Sequence, residues 1–180
     1  PREELGDALD ELGRAKAKVL ADQATAGAWI TERLTGAGAS VTRGQDPCAL
    51  PRACKNAGEL DNTRAAHRRD GAALTRFLAW LAREAPGGQI DELAASEQLL
   101  SYRRGGEHFR DLSFSTISGA GPNGAIVHYR ASPETNRPIK PPMLYLVDSG
   151  AQYLDGTTDV TRTVAIGAPT ADRKSTCLNS

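Results

Sequence analysis

The chain has 180 residues, 39% of them apolar and 24% charged, with 22 Lys and Arg set against 22 Asp and Glu. That length holds one ordinary domain and part of another, which excludes a large multidomain machine. The balanced charge offers no bulk field to a nucleic acid or an acidic membrane, so neither partner is expected.

Leu5, Leu9 and Leu12 recur at helical spacing and predict a first helix. Residues 18–21 read as a short strand. Residues 25–34 read as a helix with Ala26, Ile30 and Leu34 on one stripe, stopped by Gly36 and Gly38. Helix, strand, helix, strand is the pattern of the end of an α/β domain. Residues 45–52 carry Pro47 and Pro51 without a period and read as a linker. A long or broken helix is predicted over 59–84, with Leu74, Phe77, Leu78 and Leu81 as its apolar stripe and Pro86-Gly87-Gly88 as its end. A further helix is predicted over 91–104, with Ile90, Leu93, Leu99 and Leu100 supplying apolar contacts.

Beyond Leu112 the period changes. Residues 113–124 are rich in Ser, Thr, Gly and Pro and read as turn material, and strands are expected at 125–130, 143–148 and 158–166. Helices followed by an antiparallel sheet give the α+β class. Residues 173–180 show no periodicity and read as a non-native or frayed tail, and the whole chain reads as a piece of a longer protein. No apolar run approaches the ~20 residues of a bilayer span. Pro1-Arg2-Glu3-Glu4 lacks the basic-then-apolar order of a secretory signal, so the expected localisation is cytoplasmic. Cys48, Cys54 and Cys177 lack C-x-x-C spacing and read as isolated thiols.

Three motifs bear on chemistry. Gly119-Ala120-Gly121-Pro122-Asn123-Gly124 has the letters of a dinucleotide fingerprint, but that motif must open a helix, whereas here a strand is expected to follow, so it reads as a turn. Asp148-Ser149-Gly150 has the letters of an aspartic protease loop, which needs a second copy from a homodimer to form its dyad. Asp148 is also followed eleven residues on by Asp159, with Asp155-Gly156 as a turn signal between two expected strands. A hairpin there would bring two carboxylates to one spot, where a divalent cation is their natural neutraliser.

The runs Asp148–Tyr153 and Asp155–Thr163 resemble the metal-binding hairpin of aminopeptidase P, the X-prolyl aminopeptidases among the pita-bread metallopeptidases. Gly121–Tyr129, continued by Pro133–Arg137, is similar to the family segment that carries an active-site histidine. Lys55, Asn56, Glu59, Arg64, Ala66, His67 and residues 70–81 resemble the helices that open its catalytic domain. The resemblance implies that residues 1–50 are the C-terminal part of a non-catalytic α/β, creatinase N-terminal-like domain. It makes 51–172 the N-terminal part of a pita-bread domain.

The same resemblance implies that Asp148 chelates one metal ion, that Asp159 bridges two, and that His128 binds the substrate carbonyl or shuttles a proton. It implies two divalent cations, manganese before cobalt or zinc, and peptide substrates with proline in second place, cleaved ahead of the proline. It also implies a homo-oligomeric parent protein. Arg162 would orient carboxylates, His67 and His108 would be surface or packing residues, and Trp29 and Trp80 would lie in the core. The family's other ligands, a histidine and two glutamates, follow this hairpin, so the chain alone is expected to be inactive. Ser115 stands where the family has proline, and Pro141-Pro142 where a glycine or a charged residue is more usual. An alternative is a pita-bread relative acting as a binding module, with structural aspartates.

Overall fold

The computed structural model describes residues 2–168, so the expectations for Cys177 and the tail 173–180 lie outside the described residues. The chain divides into two compact units, Pro1–Lys55 and Asn56–Ser180. The first contains α1 (Arg2–Arg14), β1 (Lys18–Ala21), α2 (Ala28–Gly36), β2 (Ser40–Arg43) and α3 (Ala49–Ala53). β1 and β2 run parallel from Lys18↔Ser40 to Ala21↔Arg43, a pairing that needs the crossover α2 provides. Leu9, Leu34 and Ala39 are buried with Val19, Ile30 and Val41 against them.

Two expectations fail in this unit. Leu5 and Leu12 are 44% and 43% exposed. The face of α1 that turns inward runs through Gly6, Leu9 and Gly13, because Arg33 of α2 grips Asp10 with two hydrogen bonds of 2.8 Å. Trp29 is exposed rather than core, with the Arg33 guanidinium 5.3 Å from its ring centroid. The linker is also not wholly irregular: Pro51 falls in the first turn of α3, where its missing N–H costs nothing.

The second unit opens with α4 (Ala57–Glu84), unbroken for 28 residues and started by a capping box between Asn56 and Glu59. α5 (Glu92–Arg104) follows, its first turn held by Asp91, which accepts from the Ala94 N–H at 2.8 Å. Two antiparallel three-stranded sheets follow. One joins β3 (Phe109–Leu112), β6 (Ala151–Tyr153) and β7 (Gly156–Thr157), and the other joins β4 (Ile117–Ala120), β5 (Met143–Ser149) and β8 (Val160–Ile166). The order is α+β, as expected.

Leu74, Phe77 and Leu81 of α4 pack with Ala95 and Leu99 of α5 against Ala120, Tyr145, Val147 and Ile166 of the larger sheet. Trp80 packs against the edge of this cluster. Tyr145 is wholly buried and its hydroxyl meets that of Ser118 at 2.7 Å; burial pushes its pKa upward, so it stays a neutral donor.

The smaller sheet is tied to α4. Ala66, Ala151 and Tyr153 form a second buried cluster with Phe109 beside it, and the Arg69 guanidinium lies 5.4 Å from the Tyr153 ring centroid. Asp155, in the turn between β6 and β7, pairs with Arg69, and that hydrogen bond holds its carboxyl below the usual carboxylate range. A carboxyl lowered on folding adds stability that is full above its unfolded pKa of ~3.9 and is lost as pH falls through the lower folded value. Amide protection factors at Tyr153 and Gly156 are therefore expected to fall on acidification below about pH 4 in the wild type. Asp155→Asn should flatten that response, and an unaltered response in the variant would remove the pair's role.

Candidate active site

Alternation along the larger sheet decides where its side chains go. On β5, Tyr145, Val147 and Ser149 are buried, while Leu144, Leu146 and Asp148 are only half-buried and occupy the other face. Asp148 lies opposite Ile117 on β4 and Thr161 on β8. The Thr161 hydroxyl donates to Asp148 Oδ1 at 2.8 Å.

His128 arrives at the same face by a route the sequence did not announce. Residues 125–130 form no strand. A 3-10 helical segment covers Gly121–Ala125, and the Tyr129 N–H then donates to the Ile126 carbonyl at 3.2 Å, closing a turn with His128 at φ +54°. That left-handed conformation is unfavourable for a residue with a Cβ and is held by its surroundings. Gly119 shows why its motif has the letters it has: a Cβ there would lie 2.7 Å from the Gly124 Cα, so glycine permits backbone to pack on backbone. No phosphate cradle is involved.

The fixture for this turn is Glu92, wholly buried at the start of α5. Its carboxyl oxygens accept from the Ala120 N–H at 2.7 Å, Asn123 Nδ2 at 2.9 Å, the Tyr129 hydroxyl at 2.7 Å and the Arg137 N–H at 3.1 Å. Burial, with Glu92 alongside, pushes the Tyr129 hydroxyl pKa upward and keeps it a donor. One carboxyl group thus spans both sides of the His128 turn. The β-branched, apolar letters of 125–130 suggested a strand, and this tertiary anchor overrides them.

Behind Asp148 lies a second buried fixture. Arg103 Nε and Nη2 donate to the two oxygens of Asp70 at 2.7 and 3.0 Å, and Nη1 donates to the Ser149 hydroxyl and to the Gly150 carbonyl at 3.3 Å. The Tyr153 hydroxyl donates to Asp70 at 2.9 Å; burial and then the Asp70 charge push its pKa upward. A Cβ on Gly150 would lie 2.0 Å from the Thr158 carbonyl oxygen, so this bend between β5 and β6 requires glycine. Thr158 is buried, exchanges hydrogen bonds with Ala151, and places Asp159 one residue before β8, where Val160 pairs with Ser149. The single hairpin expected between the two aspartates is instead a bent one: β5 and β8 pair, then continue into the smaller sheet before turning at Asp155.

A cavity of about 320 Å³ brings the predicted residues together in part, its lining being Phe114, Ser115, Ile117, His128, Arg130 and Asp148. Asp159 is exposed and is not among the lining residues. Among the described residues Asp159 has no hydrogen-bond or ion-pair partner, and Asp148 has only the Thr161 hydroxyl. Two such carboxylates on neighbouring backbone suit a hard divalent cation. They are too few to enclose one, since the described residues contain no group of three or more His, Cys, Asp or Glu able to share a metal. Arg162 donates to the Thr161 carbonyl at 2.7 Å, beside the Asp148 partner. His67 and His108 are exposed and stand on α4 and ahead of β3.

Glu92 and Arg103 were missed as supports, and Asp70 was read only as part of a likeness. The signal was available: Asp70 shares its helical stripe with Leu74, Phe77 and Leu81, and Glu92 and Arg103 share theirs with Ala95 and Leu99. A charge on an apolar stripe is buried, and a buried charge needs a partner.

A model of metallopeptidase family M24 matches residues 61–178. The chain is 43% identical over 185 residues to "Probable Xaa-Pro aminopeptidase P" of Coccidioides posadasii (strain RMSCC 757 / Silveira), covering 97% of this chain and 30% of that protein. It is 42% identical over 152 residues to "Aminopeptidase P1" of Lotus japonicus, covering 72% of this chain and 23% of that protein. It superposes on the crystal structure of X-prolyl aminopeptidase from Caenorhabditis elegans, described as a cytosolic enzyme with a di-nuclear active site. That match has a TM-score of 0.85 and 30% identity, covering 96% of this chain and 29% of the other. The X-Pro aminopeptidase from Thermotoga maritima MSB8 has the same fold, at a TM-score of 0.69 and 20% identity over 96% of this chain and 47% of that one. The chain spans at most 30% of the length of these two curated relatives.

Proposed function

Because the chain belongs to metallopeptidase family M24, whose pita-bread fold its α+β unit shares, we propose that it is the first part of the catalytic site of an Xaa-Pro aminopeptidase. In this reading Asp148 chelates one divalent metal ion, Asp159 bridges two, and His128 binds or protonates at the substrate carbonyl. The observation that carries it is the cavity that joins His128 to Asp148 on the open face of the sheet. Residues 1–50 are then the end of a non-catalytic α/β domain, and 51–172 the opening of the catalytic one.

Each residue has a task that follows from its setting. Asp148 keeps Oδ2 clear while Thr161 fixes Oδ1, so the carboxylate is oriented before any ion arrives. Asp159 is set by Thr158 and Val160 on either side. His128, without a hydrogen-bond partner among the described residues, has both ring nitrogens available, and the turn anchored on Glu92 keeps it at the rim. The metal pair, manganese before cobalt or zinc, would supply Lewis acidity and a nucleophile drawn from water near neutral pH. The remaining ligands would come from the part of the longer protein that follows this chain and would meet the open face of β4, β5 and β8.

The substrates would be peptides with proline in second place, and the protein would be a cytosolic homo-oligomer. The test is hydrolysis of Xaa-Pro peptides by the longer, manganese-loaded protein, with and without a chelator, beside the 180-residue chain alone. The longer protein should release the residue ahead of proline and stop on chelation, and the chain alone should release nothing. Turnover by the isolated chain, or chelator-resistant turnover by the longer protein, would overturn the reading.

A further inference from the structure

We infer that Arg130 makes this cleft select substrates that bring a carboxylate to it, an inference that rests on the peptidase reading above. Arg130 lines the same cavity as His128 and Asp148, against the apolar wall of Phe114 and Ile117. It directly follows Tyr129, whose hydroxyl is bound by buried Glu92 at 2.7 Å, so its backbone is anchored. Among the described residues, Arg64, Arg69, Arg83, Arg103 and Arg104 of this unit each pair with a carboxylate. Arg130 has no ion-pair or hydrogen-bond partner. The one carboxylate that shares its cavity, Asp148, is engaged by Thr161 and, in the proposed reading, by metal.

A guanidinium is charged at every physiological pH and offers a planar fork of donors that matches a carboxylate. Held on a cleft wall without a partner, it attracts the anion most common in peptides. That carboxylate has two sources: an Asp or Glu side chain ahead of the proline, or the free C-terminus of a dipeptide. Arg130 is exposed, so water weakens the contact, and the expected preference is about 3- to 10-fold, between an exposed ion pair and a charge-assisted hydrogen bond.

The test uses the longer, metal-loaded protein as wild type, Arg130→Ala, Arg130→Lys and Arg130→Glu. One arm compares Glu-Pro, Gln-Pro and Lys-Pro peptides with amidated C-termini; the other compares Ala-Pro free acid with Ala-Pro amide. Both kcat/KM and Kd are measured. The wild type should favour Glu over Gln, or acid over amide, and Arg130→Ala should bring the affected ratio close to one. Arg130→Lys should retain part of the preference, and Arg130→Glu should shift it toward Lys-Pro, which also shows that the variants are folded. The arm that responds identifies the source. Ratios that are flat in the wild type, or unchanged in Arg130→Ala, overturn the inference even if every peptide is cleaved. Kd ratios that depend on Arg130 without any cleavage uphold it and overturn the peptidase reading. Absence of both binding and cleavage overturns both.

Discussion

Replacing Arg103 by alanine is expected to lower folding stability by about 3–5 kcal/mol, the range for stripping one partner from a buried ion pair. The guanidinium is wholly buried and holds both oxygens of Asp70, which is 2% exposed. Its removal strands that carboxylate among Ala66, Ala73 and Leu74, with only the Tyr153 hydroxyl left to donate. It also frees the Ser149 hydroxyl and the Gly150 carbonyl. The double variant Asp70→Leu with Arg103→Met should be more stable than Arg103→Ala, because no charge is left behind. Urea unfolding checks this through the midpoint at constant slope. A loss under about 1 kcal/mol for Arg103→Ala would mean that water reaches Asp70 and that the pair is not buried. Because Ser149 and Gly150 directly follow Asp148, the same fixture sets the end of the strand that carries the proposed metal ligand.

This fixture also marks where the sequence stopped being legible. Helical periodicity gave α4, including its Leu74, Phe77 and Leu81 face, because a long amphipathic pattern depends on local spacing alone. Strand β1, its parallel partner's crossover and β5 were readable for the same reason. The turn at His128 was not, since Ile126, Val127 and Tyr129 carry strand letters while the decision is made by Glu92, more than thirty residues earlier in the chain. Strands β3 and β4 were hidden among Ser, Thr and Gly, whose lack of side-chain bulk is what lets Gly119 lie against Gly124. Trp29 was misplaced because a large aromatic suggests core, whereas Arg33 stacks over it at the surface. The candidate site was legible as letters, Asp148, Asp159 and His128, but its supports were not. Asp70, Glu92 and Arg103 act across elements, and one-dimensional spacing records only their anomaly as charges on apolar stripes.

The second large effect expected is at Asp159. In the longer, manganese-loaded protein, Asp159→Ala should lose metal and turnover together, because it removes a charge proposed to serve both ions. The drop in metal affinity should exceed the ~10- to 100-fold seen when a partner outside the coordination sphere is removed. Asp148→Ala should resemble it. His128→Ala should differ in kind, keeping its metal while turnover falls by roughly 10²- to 10⁴-fold, the range for losing a proton-transferring side chain. The contrast follows from position: His128 stands on a turn anchored to Glu92, whereas Asp148 and Asp159 belong to β5 and the approach to β8.

The most direct measurement is therefore the number of manganese ions bound per chain, taken by elemental analysis after equilibration of the wild type, Asp159→Ala and His128→Ala. Two ions in the wild type and in His128→Ala, with a clear loss in Asp159→Ala, is the result expected if Asp148 and Asp159 open a dinuclear site. Two ions retained in Asp159→Ala would contradict it and return the aspartate to a structural role.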